Sequence, residues 1–124
     1  MYPPGGMSLA SRRRLFRRIE VTGESMRPVL EPGDRVIAIG LGRPRPGDLV
    51  ACVDPRDPAR VMVKRVAGRH SGGGYVVLGD NSDHSTDSRH FGPIAAKLII
   101  GRLVYRYLPA ARSGPIWRRW PAQR

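Results

Sequence analysis

Ser25 stands in a short loop whose composition suits a nucleophile. Gly23 lies two residues before it and Pro28 three residues after it, and strands are predicted on both sides of the loop. A tight loop between strands can present a serine hydroxyl and its backbone N–H to a cleft. Acyl transfer needs both groups, because the hydroxyl attacks the carbonyl carbon and the N–H stabilises the oxyanion. Most serines in such turns only close the turn, so Ser25 requires a base to qualify as a catalytic candidate.

Lys64 is the preferred base. An extended strand over residues 60–67 places Met62, Lys64 and Val66 on one face, and the apolar neighbours predict burial of the lysine. Burial disfavours the ammonium and lowers its pKa. Only Lys64 and Lys97 are lysines among 22 basic residues, which indicates a need for a side chain that can lose its proton. The alternative is a lysine that extends its ammonium to water from an apolar flank.

Three histidines offer a different base. His70 precedes a Gly-rich turn, whereas His84 and His90 lie in the polar loop 79–92, so a Ser–His–Asp triad with either of these two stays open. Zinc binding is disfavoured because Cys52, His84 and His90 lack the spacing of zinc ligands. Cys52 lies in an apolar run and is predicted to be a small core residue.

The polar loop 79–92 is dense in side chains that form hydrogen bonds. A hydroxyl such as that of Ser85 can hold the lysine amine, and Asp87 can pair with Arg89 to stiffen the loop. Calcium is another possible ligand, since the loop offers three carboxylates: Asp80, Asp83 and Asp87. However, Ser85 and Phe91 stand where an EF-hand loop from Asp80 needs Gly and Glu. A loop bonded only to itself is the simplest alternative.

Short strands must position these residues. Gly and Pro number 15 and 12, and turn signals recur about every ten residues, which is typical of a small barrel or sandwich. The predicted class is therefore mainly β, in a compact single domain with few short helices. One helical turn is expected at 93–97, two prolines predict a loop at 54–58, and strands are expected at 19–22, 35–39, 49–53, 60–67, 75–78 and 98–107. The predicted division is a flexible basic arm at 1–18, a catalytic domain at 19–108 and a basic, Trp-containing tail at 109–124.

The net charge of +12 predicts affinity for polyanions or an anionic membrane surface. A nucleic-acid-binding β-barrel is one such reading, but no cluster of aromatic residues falls on a predicted strand. No run approaches the roughly 20 apolar residues that span a bilayer, and no apolar segment follows the N-terminal arginines as in a secretory signal. We therefore expect a cytoplasmic protein without a transmembrane anchor, peripheral at most at the inner face of the membrane, and no specific nucleic-acid partner.

Taken together, these stretches resemble the signal peptidase I family (S26) of Ser–Lys serine proteases. The matching segments follow the family's order across about residues 20–107: Gly23-x-Ser25-Met26-x-Pro28-x-Leu30, the pairs Gly33-Asp34 and Gly47-Asp48, Lys64-Arg65-Val66, Gly79-Asp80-Asn81 with Ser85, Asp87, Ser88, Arg89 and Gly92, and Gly101-Arg102. The resemblance implies a mainly β fold in which the substrate peptide adds as a strand beside the serine. It also implies a precursor protein as substrate, with small residues just before the cut.

The resemblance assigns roles within these segments. It implies Ser25 as nucleophile, Lys64 as general base and Ser85 as the hydroxyl that orients the base, with no metal or cofactor. Gly23 and Met26 belong to the loop of the nucleophile and its oxyanion hole. The remaining motif residues are structural: Pro28, Gly79, Asp80, Asn81, Asp87, Ser88 and Arg89.

The sequence departs from the family pattern in three places. Some members carry a serine where this chain has Gly23, and its hydroxyl completes the oxyanion hole. Bacterial members usually have a transmembrane anchor, and many have a larger β insertion where this chain has only the turn at 72–74. A compact, unanchored form is similar to the branch that matures nickel-type superoxide dismutase by removing an N-terminal propeptide. A generic short signal peptidase is the alternative, and a self-cleaving regulator is disfavoured because no helical DNA-binding domain precedes Ser25.

Overall fold

The computed structural model describes residues 15–117, and strands dominate them. The strands are β1 (Phe16–Glu20), β2 (Arg35–Ile39), β3 (Leu49–Asp54), β4 (Asp57–Arg69), β5 (Tyr75–Leu78), β6 (Ile99–Leu108) and β7 (Gly114–Pro115). One short helix, α1 (Ser88–Phe91), and three 3-10 turns at Ser82–His84, Ala96–Leu98 and Ala110–Arg112 complete the described part. The predicted mainly β class with few short helices is confirmed.

All strand pairs are antiparallel, and the described strands form one open sheet. Its order is β1-β2-β6-β3-β4-β5, with the short β7 pairing with β6. The last long strand, β6, therefore inserts between β2 and β3. The catalytic candidate Lys64 lies on β4, near one end of this order, and the Ser25 loop connects β1 to β2 at the other end.

Two turns of the same composition shape the connections before β2 and β3. In each, Pro is followed by a glycine with positive φ, +92° at Gly33 and +93° at Gly47. This conformation suits glycine because it has no Cβ. The next residue in each turn, Asp34 or Asp48, folds its carboxylate back onto the first N–H of the turn, at 2.9 Å and 2.7 Å. Both turns contain the Gly-Asp pairs, Gly33-Asp34 and Gly47-Asp48, that belong to the matching segments of the sequence.

The alternation of residues along β3 divides the core between the two faces of the sheet. One cluster contains Leu49 and Ala51 of β3 together with residues of the serine loop, including Met26 and Leu30. The other cluster contains Val50, Cys52, Met62, Val66, Tyr75, Val77 and Ile94. The burial of Cys52 confirms the prediction of a core cysteine. Lys64 shares the face of this second cluster, since it lies between Met62 and Val66 on β4.

The predicted loop at 54–58 is wrong in extent. β3 and β4 form a tight hairpin in which Asp54 is opposite Asp57, and its carboxylate accepts the N–H of Arg56 at 2.8 Å. The ladder shifts register between Val53 and Asp54. Pro58 is accommodated in β4 because it lies at this irregularity, where a missing N–H costs little.

The boundaries at the chain ends also differ from the prediction. β1 begins at Phe16, so residues 16–18 belong to the sheet although they were assigned to the basic arm. At the other end, residues 114–115 form β7 within the predicted tail. Residues 1–14 of the arm and residues 118–124 of the tail lie outside the described part of the chain.

Candidate active site

Ser25 and Lys64 line the same small cleft. Its volume is about 40 Å³, and its walls are the end of β1 with the serine loop on one side and residues 60–64 of β4 on the other. Met26, next to Ser25, is 1% exposed and anchors the loop in the core, and its carbonyl accepts the N–H of Leu30 at 2.9 Å. The buried neighbour fixes the loop and leaves the partly buried Ser25 facing the cleft.

Lys64 is buried, with 3% of its surface exposed. This excludes the alternative in which its ammonium extends into water. Burial lowers the pKa of the Lys64 ammonium below its usual value, and the nearby Asp87 carboxylate partly opposes that shift. The amine is therefore easier to deprotonate than that of an exposed lysine, which is what a general base requires.

A chain of hydrogen bonds holds the Lys64 amine. Its Nζ donates to Ser85 Oγ at 3.1 Å, and Ser85 Oγ donates to Asp87 Oδ2 at 2.8 Å. Within the described residues, no hydrogen bond joins Lys64 Nζ to Ser25 Oγ. The Ser85 hydroxyl thus fixes the amine inside the cleft and leaves the serine hydroxyl without a bond to it in this state.

Asp87 accepts the last hydrogen bond in the series that begins at Lys64. It is fully buried, and burial alone would raise the pKa of its carboxyl, but hydrogen bonds from the Arg89 guanidinium, the Gly79 N–H and the Ser85 hydroxyl outweigh that effect. They hold the pKa of Asp87 well below its usual range, so it is ionised at neutral pH. Asp87 also caps helix α1, accepting the N–H of Arg89 at 3.1 Å. The predicted pairing of Asp87 with Arg89 is present in the structure.

Ser88 joins the same loop to the sheet. Its hydroxyl accepts the N–H of Val77, on β5, at 2.9 Å. The loop that carries Ser85 and Asp87 is therefore bonded to a strand directly next to the one that carries Lys64.

Asn81 connects the polar loop to the serine loop. Its N–H donates to the carbonyl of Ser25 at 2.8 Å, and its side-chain amide donates to the carbonyl of Glu24 at 3.0 Å. No local pattern predicts this contact, because Glu24 and Asn81 are 57 positions apart in the chain. The two bonds fix the position of Ser25 relative to the loop that carries Ser85.

Gly79 lies where these elements come closest together. A Cβ at this position would lie 2.5 Å from Ser85 Cβ and 2.9 Å from the Ser25 carbonyl oxygen. Its N–H also donates to Asp87 Oδ2 at 2.7 Å. Glycine is therefore required here by the close approach of backbone to Ser85 and Ser25.

Asp80 forms a buried ion pair with Arg65, the neighbour of Lys64 on β4. Two hydrogen bonds join their side chains, at 2.8 and 2.7 Å, and the guanidinium also donates to the carbonyl of Gly47 at 2.8 Å. The Asp80 N–H faces the sulfur of Met26 at 3.5 Å. The motif residues at 79–81 therefore join β4, the serine loop and the polar loop.

Comparison with known sequences identifies the family. Residues 2–70 and 71–108 match the sequence profile described as "Signal peptidase, peptidase S26". The chain belongs to this family. The match covers most of the chain, including Ser25, Lys64 and Ser85, and it does not favour the nucleic-acid-binding alternative.

Several similar proteins are protease subunits. This S26 chain is 32% identical over 130 residues to the mitochondrial ATP-independent inner membrane protease subunit 1a of Arabidopsis thaliana, covering 84% of this chain and 77% of the relative. It is 34% identical over 116 residues to the mitochondrial inner membrane protease subunit 1 of Mus musculus, covering 75% and 70%. It is 30% identical over 123 residues to subunit 2 of Saccharomyces cerevisiae, covering 77% and 70%.

The other sequence-based candidates do not come together in this S26 domain. His70, His84 and His90 are all exposed, and none of them lines the Ser25 cleft. Within residues 15–117, no group of three or more His, Cys, Asp or Glu side chains is arranged to hold a metal ion. The same residues contain no helix long and apolar enough to cross a membrane.

The other residues of the first motif shape the loop that carries Ser25. A Cβ at Gly23 would meet no atom within 4 Å, so this position has room for a side chain. Pro28 is exposed at the turn of the loop, while Met26 and Leu30 are buried on either side.

Proposed function

We propose that this chain is a serine endopeptidase that removes an N-terminal propeptide or signal peptide from a precursor protein. Ser25 is the nucleophile, Lys64 the general base and Ser85 the residue that positions the base. The observation that carries this proposal is the buried Lys64 amine, bonded to Ser85 in the cleft that Ser25 lines. Membership of the peptidase S26 family supports it.

The reaction follows from these positions. The neutral Lys64 amine takes the proton of Ser25 Oγ as the oxygen attacks the carbonyl carbon of the scissile peptide bond. The Ser25 N–H stabilises the resulting oxyanion, and the Lys64 ammonium then protonates the leaving amine. Water attacks the ester that remains on Ser25 while Lys64 accepts the water proton. Lys64 then returns this proton to Ser25 Oγ as the bond from Oγ to the carbonyl carbon breaks, and the new carboxyl terminus leaves.

β4 offers an edge on which a substrate peptide can bind as a strand. Residues 65–69 of β4 pair with β5, whereas residues 57–64 pair only with β3 among the described strands. This half of β4 forms the wall of the Ser25 cleft, so a peptide that extends the sheet there passes the nucleophile. The small volume of this cleft, about 40 Å³, suits a small side chain next to the scissile bond, such as that of alanine.

Two classes of precursor fit this mechanism. The propeptide of a nickel-type superoxide dismutase is the preferred substrate because of the motif resemblance and the short connection between β4 and β5, where many members carry an insertion. The alternative is a secretory preprotein processed at the membrane. The relatives are named as proteases of an inner membrane, which favours activity at a membrane for this chain as well.

Cleavage of these two precursors by the purified chain tests the proposal. Mass spectrometry would identify the cut in each precursor, with variants Ser25→Ala, Lys64→Met and Ser85→Ala beside the unchanged chain. Ser82→Ala is the matched control, because Ser82 is an exposed serine of the same loop. We expect the first two variants to lose cleavage and Ser82→Ala to keep it.

Ser85→Ala separates positioning from catalysis. Loss of one hydrogen bond to a charged group corresponds to about 1.5–3 kcal/mol, which is a roughly 10- to 150-fold fall in kcat at little cost in KM. A Lys64→Met variant with full activity would exclude lysine as the base. Lysine-dependent cleavage of the preprotein alone would replace the dismutase precursor with a secretory substrate.

A further inference from the structure

A second cleft lies far from Ser25, at the opposite end of the strands. Its volume is about 320 Å³, and it forms where the ends of β2 and β4 meet the start of β6 and the turn at 40–44. Arg69, which lines this cleft, is five positions after Lys64 on β4, so at about 3.3 Å per residue the two are roughly 16 Å apart. The two clefts share no lining residue. The proposed protease mechanism therefore does not account for it.

Three arginines line this second cleft: Arg43, Arg69 and Arg102. No Asp or Glu lines it, and none of the three forms an ion pair with a carboxylate in the part of the chain that the structure describes. The Arg69 guanidinium lies over the ring of the buried Tyr75, 5.9 Å from its centroid, which restricts its position. Three like charges around one cleft repel each other unless an anion binds, and guanidinium groups match phosphate particularly well.

Exposed apolar side chains lie beside these charges. Leu41, in the wall of the cleft, is 58% exposed. Phe16 is 63% exposed and lies on β1 opposite Ile39, another residue of the cleft. Exposed apolar residues next to basic groups are the composition of a surface that lies on an anionic membrane. Free inorganic phosphate has no apolar part that could contact these side chains.

We propose that this cleft binds the phosphate headgroup of an anionic lipid, with Leu41 and Phe16 inserted among the neighbouring acyl chains. The three guanidiniums neutralise the phosphate, and the apolar rim distinguishes a lipid surface from free phosphate. Since the strands separate this cleft from Ser25, lipid binding and peptide cleavage are independent properties of the domain. Substitution of Ser25 or Lys64 is therefore expected to leave lipid binding unchanged.

Flotation of the full chain with vesicles tests the lipid site. The vesicles are pure phosphatidylcholine and an equimolar mixture of phosphatidylcholine and phosphatidylglycerol. The cleft variant replaces the three arginines of the cleft, and the control variant replaces three exposed arginines on other parts of the domain, so both lose the same charge. The substitutions are Arg43→Gln, Arg69→Gln and Arg102→Gln against Arg27→Gln, Arg35→Gln and Arg60→Gln. Both keep the basic segments at 1–14 and 118–124. Circular dichroism verifies that each variant is folded. If a triple variant unfolds, the corresponding single-arginine variants are tested instead.

We expect binding to the anionic vesicles only, weakened roughly tenfold or more in the cleft variant and much less in the control. Leu41→Ser is expected to weaken vesicle binding without changing the net charge. Equal weakening of the two triple variants would overturn the proposal, because it would show a response to total charge alone. Release from vesicles by inorganic phosphate at low concentration, with no effect of Leu41→Ser, would also overturn it and assign the cleft to a soluble phosphate.

Discussion

Replacing Gly79 by alanine is the sharpest test of how the site is assembled. The new Cβ would lie 2.5 Å from Ser85 Cβ, whereas carbon atoms in contact are ordinarily about 3.5–4.0 Å apart. Ser85 must therefore move by about 1 Å or more, or the 79–81 backbone must move away from Ser25. Ser85 is held by Lys64 on one side and Asp87 on the other, so either movement breaks the chain of hydrogen bonds that positions the amine.

The consequence for activity is larger than that for stability. Overpacking costs about 1–3 kcal/mol of the free energy of unfolding, whereas a displacement of about 1 Å in a catalytic arrangement costs about 100-fold in rate. The measurements are thermal unfolding by circular dichroism and kcat/KM on the cleaved precursor. Gly68→Ala is the matched control, because a Cβ there meets no atom within 4 Å. A Gly79→Ala protein that keeps both the melting temperature and kcat/KM of the unchanged chain would refute the close approach and the positioning role built on it.

Three further predictions concern buried ionisable groups. Burial lowers the pKa of Lys64, so between that lowered pKa and 10.5 the unfolded chain binds more protons than the folded chain, and the free energy of unfolding rises with pH in this window. Urea unfolding at neutral and alkaline pH should show this rise for the unchanged chain and not for Lys64→Met. The same dependence of the free energy of unfolding on pH in both proteins would contradict the prediction. Asp80→Asn breaks the buried pair with Arg65 and should lower the free energy of unfolding, measured in urea, by about 3 kcal/mol. Asp83→Asn, at an exposed position, is the control and should change this free energy by less than about 0.5 kcal/mol. Equal losses of stability in the two variants would exclude a stabilising role for the pair. Burial raises the pKa of Cys52 to about 12, so a thiol reagent should modify it only after unfolding, and rapid labelling of the native chain at neutral pH would contradict its burial.

The parts of the site that local sequence can determine were predicted from it. The side of β4 on which Lys64 lies depends only on the two-residue period of a strand and on its neighbours Met62 and Val66. The pairing of Asp87 with Arg89 depends on residues two positions apart. The setting of Ser25, with Gly23 before it and Pro28 after it, made it a candidate nucleophile, and the polar loop offered Ser85 as a hydroxyl that could hold the amine. Resemblance to a family then assigned the roles of both serines, since most serines in such turns only close the turn.

The parts that depend on distant pairing were not predictable in the same way. Nothing in the composition of β6 indicates that it inserts between β2 and β3, because antiparallel neighbours are chosen by the whole fold. The bonds from Asn81 to the serine loop, and the pair of Arg65 with Asp80, likewise require the tertiary arrangement. The prediction of a loop at 54–58 failed for a related reason. Two prolines are a strong local signal for a loop, but β3 and β4 pair there across a shift in register, which only the tertiary arrangement determines.

The position of Ser85 between Lys64 and Asp87 explains how the amine can be held in place while its pKa stays below the usual value. A carboxylate in direct contact with Lys64 would stabilise the ammonium and raise its pKa, which would oppose its use as a base. Asp87 instead contacts the lysine through a hydroxyl, and its charge is balanced by the Arg89 guanidinium. Arg89 also lowers the pKa of Lys64, whereas Asp87 raises it. Burial therefore remains the dominant influence on the amine, while the Ser85 hydroxyl supplies its orientation without adding a counter-charge.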